Sequence, residues 1–200
     1  MSKLHNCLIA LGLLVGASAV QAGIVFSAQL SGSQESIPNA STAYGTGSFV
    51  LNDAQNALTF SFTIYGLDFT GGQTPGITDN LLAAHLHAAA PPGSNAGVVF
   101  GFFGAPFNDT IPNDIVVTPF ASDVGGTITG KWDALEGNGT TLTAQLPSLL
   151  AGLVYANFHT AGFPAGEIRG QILPVPEPGT LALLGVGMAG LGLLRRQPRR

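Results

Sequence analysis

Charge is what this sequence has least of. Asp, Glu, Lys and Arg make up 9% of its 200 residues, against roughly 25% in an average soluble protein. That excludes a coiled coil or a helical bundle, both of which need Glu, Lys and Arg at high density. Cysteine is nearly missing too, with Cys7 alone, so no internal disulfide can form. An acidic disordered chain is excluded by the 46% hydrophobic content, which is too much apolar surface to leave in water. What is abundant is glycine, 28 residues, and proline, 13. The composition is that of an exported or membrane-associated chain rich in β structure and turns.

The apolar residues are concentrated at the two ends. Residues 7–20 (CLIALGLLVGASAV) follow Lys3 and precede small residues, with Val20 and Ala22 at the −3 and −1 positions of a cut before Gly23. This is the layout of a secretory signal peptide, assigned to residues 1–22 with cleavage between Ala22 and Gly23. Cys7 leaves with it, and the mature chain has no thiol. At the other end, Val175-Pro176-Glu177-Pro178 precedes an uncharged run, residues 179–194, and then the basic tail 195–200, Arg-Arg-Gln-Pro-Arg-Arg. Sixteen helical residues reach about 24 Å at 1.5 Å per residue, slightly short of a ~30 Å hydrocarbon core. The flanking arginines can snorkel and hold their end in the cytoplasm. The expectation is a short transmembrane helix.

The order Pro176-Glu177-Pro178, apolar helix, basic terminus resembles the PEP-CTERM sorting signal of Gram-negative bacteria, over residues 174–200. The resemblance implies processing by an exosortase-type membrane protease. It also implies an inner-membrane-anchored precursor, then a surface or secreted product, in cells that make exopolysaccharide. Exopolysaccharide or other surface proteins are the partners it suggests.

Without the two ends the charge balance changes. Residues 23–174 keep only Lys131 and Arg169 against ten acids, a net charge of −8. Two cations cannot grip a phosphate backbone, so nucleic-acid binding is excluded.

The body of the chain has period two. In residues 58–65 (LTFSFTIY), Leu58, Phe60, Phe62 and Ile64 point one way and the intervening residues the other. The same reading predicts strands at 24–30, 45–51, 83–88, 98–103, 126–132, 140–146, 153–159 and 167–173. Residues 52–56 read as a hairpin loop, 66–80 and 104–125 as long loops, and 147–152 as a single helical turn. Phe100, Phe102, Phe103, Phe107 and Phe120 are assigned to the core. The expected class is an all-β, antiparallel sandwich or barrel.

Within that body, Ala84-His85-Leu86-His87-Ala88 and the pair of blocks 155–160 (YANFHT) and 163–172 (FPAGEIRGQI) resemble the CHRD domain, the module named after chordin. The similarity covers nearly all of residues 23–173. It implies an immunoglobulin-like sandwich, distantly similar to Cu/Zn superoxide dismutase, and no defined general activity.

His85 and His87, at i and i+2, leave one strand on one face, and Asn157 and His159 share a face on another. Three converging histidines suit copper or zinc, because neutral imidazole is a borderline ligand. Asn157, Glu167 and Arg169 are the candidates to support them from behind, with Arg169 expected close to His159. The order His85, His87, His159, Arg169 is similar to the copper surroundings of Cu/Zn superoxide dismutase. A fourth histidine in the mature domain and a disulfide are lacking, so dismutase activity is not expected. The same residues also read as purely structural, with the histidines hydrogen-bonded across the sandwich edge and Asn157, Glu167 and Arg169 satisfying one another. No Gly-x-Ser-x-Gly elbow, HExxH or phosphate loop occurs. The function expected is a non-enzymatic binding or structural module at the cell surface with no obligatory cofactor; the alternative is a copper- or zinc-binding sandwich, redox-active or not.

Overall fold

Alternation of apolar and hydroxylated residues builds the first half of the domain. The computed structural model describes residues 23–176, with Gly185, Gly187 and Met188 beyond them. The signal peptide and the body of the sorting segment lie outside the described residues. Among those described, no helix is long and apolar enough to cross a membrane.

Strands β1 (Ile24–Ser31), β2 (Tyr44–Leu51) and β3 (Ala57–Tyr65) form an antiparallel meander, joined on its far side by β7 (Gly125–Asp133). Phe26, Phe49, Phe60, Phe62 and Ile128 face inward, and Ser27, Ser48, Thr59 and Thr129 face water. Asn52 closes the β2–β3 hairpin by accepting the Asn56 amide on Oδ1. The second half contains β4 (Leu81–Ala88), β5 (Gly97–Phe103), β8 (Tyr155–Thr160) and β9 (Ile168–Gln171). With the edge strand β6 (Val116–Pro119), a single sheet runs β5-β4-β8-β9-β1-β2-β3-β7-β6, and the two-residue β10 (Leu173–Pro174) pairs with β1. Only one register pair, Ser31 with Arg169, links the halves. At that junction the sheet curls over, and the two inner faces meet. Phe62 of β3 stacks on Phe102 of β5 at 5.1 Å, and Phe100 stacks on Trp132 at the same distance. The antiparallel all-β class is as expected, but the architecture is one curled sheet and carries no mark of a particular sandwich type.

Two predicted elements differ. Residues 140–146, expected as a strand, enter α1 (Leu142–Leu150). Thr141 caps it, its Oγ1 accepting the Ala144 amide, and Leu142 and Leu149, seven apart, bury one helical stripe. The expected turn at 147–152 is the helix's C-terminal half. Gly152, at φ +68°, closes it in a conformation that a side chain disfavours. Within the expected loop 104–125 lies β6 (Val116–Pro119), a short edge strand ending in proline, which has no amide to donate. Phe107 is exposed, and Phe120 packs on Tyr65 outside the core.

Candidate metal centre

Adjacent strands place the three histidines. His85 pairs in register with Asn157, His87 with Tyr155, and Ala83 with His159. All three imidazoles therefore stand on the outer face of the β4–β8 pair, away from the phenylalanine core. Register shifts flank His85 and His87 on the β5 side, and such irregularities re-aim side chains. The ring centroids lie 5.0 Å (His85–His159), 5.7 Å (His85–His87) and 6.0 Å (His87–His159) apart.

Loops cover this face, and each imidazole holds one of them. His85 Nε2 bonds the Ala105 carbonyl at 3.0 Å, His87 Nδ1 the Ala96 carbonyl at 3.0 Å, and His159 Nδ1 the Pro164 carbonyl at 3.1 Å. The Ala105 loop crosses close over β5 because residue 101 is glycine; a Cβ there would sit 1.8 Å from the Pro106 oxygen. A carbonyl only accepts, so the proton of each neutral ring is assigned to the bonded nitrogen. The other nitrogens, His85 Nδ1, His87 Nε2 and His159 Nε2, are buried and have no partner. One ligand nitrogen from each histidine lies within 4.8 Å of those from the other two. The bonded nitrogens are committed to three separate loops, which leaves His85 Nδ1, His87 Nε2 and His159 Nε2 as the atoms available to a ligand.

Each ring thus keeps one buried lone pair free. Burial holds His85 at about 4, helped by the charge His159 would carry, and burial holds His87 at about 4 as well. His159 is lowered by the same cause. The rings are neutral at physiological pH, the form that ligates metals. A first-row ion bound at about 2.0–2.1 Å from each nitrogen needs N···N spacings of roughly 3.3–3.6 Å. The imidazole nitrogens, within 4.8 Å of one another, would have to draw together to hold such an ion. The donor set, all imidazole with no carboxylate among the three, fits copper or zinc and is poor for calcium or magnesium.

The supporting residues depart from expectation. Arg169 pairs in register with Asn157 and does not approach His159. Its guanidinium lies 3.5 Å over the Tyr155 ring, and His87 stacks on Tyr155 at 4.8 Å with 5° between planes. Both cannot occupy one face of the phenol, so Tyr155 separates Arg169 from the imidazoles. Arg169 is fully buried and donates to the carbonyls of Ser94 (2.7 Å) and Pro91 (3.3 Å), and to Asn95 Oδ1 and Gln171 Oε1. Asn157, Glu167 and Arg169 do not satisfy one another. Glu167 accepts from Ser41 Oγ and Thr160 Oγ1, while Asn157 Nδ2 reaches Glu35 Oε2 at 3.5 Å.

Glu35 is the buried group that the sequence reading missed. Burial raises its carboxyl to about 7, against the opposing pull of Arg169. Nothing in its surroundings, Ser33-Gln34-Glu35-Ser36, distinguishes it from an exposed turn acid. Tyr155 was equally hidden in an apolar-looking strand. Its hydroxyl accepts the Ala96 amide at 3.1 Å, beside the carbonyl that holds His87.

An antiparallel β domain with an outward, loop-covered imidazole cluster is the class these features define. The CHRD domain family model matches residues 26–172, and the chain belongs to that family. Residues 174–200 match the PEP-CTERM protein-sorting motif, which marks an exported, membrane-anchored precursor processed by an exosortase for the cell surface. No curated protein and no solved structure matches the chain.

Proposed function

We propose that this CHRD domain is a non-enzymatic metal-binding module of the cell surface, holding one copper or zinc ion on His85 Nδ1, His87 Nε2 and His159 Nε2. The observation that carries the proposal is a cluster of three imidazoles with ligand nitrogens within 4.8 Å of one another, each ring having one nitrogen committed to a loop carbonyl and the other buried and unpartnered. An apo domain with no use for the site would leave three buried acceptors unmade, each costing about 1–3 kcal/mol. Bound copper supplies a one-electron centre and bound zinc a Lewis acid. The chain's own residues position the three rings, fix their tautomers through Ala105, Ala96 and Pro164, and exclude water.

Arg169 supports a binding rather than a dismutase-like role. An arginine that steers an anion must face the metal, and here Tyr155 stands between. A second reading, that the histidines serve only to pin loops, rests on the same three carbonyl bonds.

Calorimetric titration with Cu(II) and Zn(II) separates the two. The metal reading expects one site of sub-millimolar or tighter affinity, weakened at least tenfold by His87→Ala. Absence of binding, or binding indifferent to His85→Ala and His87→Ala, overturns it.

A further inference from the structure

Both apolar runs of the sequence join the domain at one end. Gly23, which follows residues 7–20, lies against Leu51. At the other terminus the Val175 amide donates to the Val25 carbonyl at 2.8 Å. Three residues after Pro176, the uncharged run 179–194 begins, a reach of at most about 11 Å. The same end carries the β2–β3 hairpin, and Leu135 just beyond β7.

Large apolar side chains are exposed there. Val25 and Val50 pair across β1 and β2, Val175, just past β10, bonds Val25, and Leu173 pairs with Ser27 on the same face. Leu135 is 79% exposed and Ile111, beside it, 63%. Exposure alone does not single out this end, because Ile37 (85%) and Ile77 (71%) are as bare at the opposite end of the strands. What differs is the tether. A cluster of this size binds lipid weakly by itself, but a short link to a membrane-inserted segment makes contact effectively intramolecular.

We propose that this end of the domain, through Val25, Val50, Ile111, Leu135, Leu173 and Val175, rests on the lipid surface while the C-terminal segment is still attached. The far end, with Ile37 and Ile77, stands about 20 Å away along the strands. The proposal rests on the sorting motif and is independent of metal binding.

Single-cysteine variants of the full chain carrying Cys7→Ser test it. Val50→Cys and Leu135→Cys report the near end, Ile37→Cys and Ile77→Cys the far end. All four positions are solvent-exposed, so the substitutions leave the core untouched. Each variant is labelled with an environment-sensitive fluorophore and reconstituted into phosphatidylethanolamine–phosphatidylglycerol vesicles containing nitroxide-labelled lipid. Quenching at 50 and 135 is expected to exceed that at 37 and 77 several-fold, and Ile111→Asp is expected to reduce it at both near-end sites. Equal quenching at both ends, or no quenching at the near end, overturns the proposal. A near-end blue shift without lipid quenching also overturns it, since a second protein copy would then cover the patch.

Discussion

The two halves of the curled sheet treat their outer faces differently. Along β2 and β3 every second side chain reaches solvent, and the outward residues are mostly Ser and Thr, with Val50 and two tyrosines. Along β8 and β9 nearly every residue is buried on both faces, yet the outward ones are Tyr155, Asn157, His159, Arg169 and Gln171. A polar residue facing water needs no partner from the protein, whereas a buried one must find one. The first half is therefore a scaffold whose outer chemistry is replaceable. The second half is where the outward polar groups have been matched to loops, with the free imidazole nitrogens and one oxygen each of Asn157 and Glu35 left over.

The largest contrast should come from the domain's only two cations. Arg169→Ala leaves the Ser94 carbonyl and Gln171 Oε1 without a donor inside the protein, and should cost about 2–4 kcal/mol. Lys131 spans Asp114 and Asp133 at 3.0 and 2.9 Å on the open half. Lys131→Ala should cost no more than about 1 kcal/mol, as exposed pairs do. Urea unfolding of both variants is the measurement, and equal losses would erase the distinction between the halves.

A pH series sharpens the same comparison. His85 and His87 bind protons only near pH 4 when folded and near 6.5 when unfolded. Their contribution to apo-protein stability is complete above pH 6.5 and is lost as pH falls through 4. Glu35 runs oppositely. Its folded value of about 7 against 4.5 unfolded gives a contribution present below pH 4.5 and lost as pH rises through 7. Glu35→Gln should flatten the upper limb and leave the lower one. In proton NMR the His85 and His87 ring signals should not titrate between pH 5.5 and 8, and titration near 6.5 would show that the rings are solvated.

How legible all this was in the sequence followed the same division. Strands of the open half announce themselves because one face is wet, and Leu58, Phe60, Phe62 and Ile64 alternate cleanly with polar residues. The His85/His87 spacing placed two rings on one face with no tertiary knowledge. The pairing of β8 with β9 was visible in the turn at 163–166, but not its register, because a strand buried on both faces has no alternation to anchor it. Arg169 consequently sits one pair away from where it was expected, opposite Asn157. The stretch Thr140-Thr141-Leu142-Thr143 mimicked a strand, and the cap at Thr141 outweighed its β propensity. Glu35 was illegible because its burial comes from the packing of distant loops.

X-ray absorption at the copper or zinc edge of the loaded protein tests the central claim most directly. Three imidazole nitrogens at about 2.0–2.1 Å, reduced to two in His87→Ala, is the predicted result. A shell without imidazole scattering, or one unchanged in His87→Ala, would contradict it.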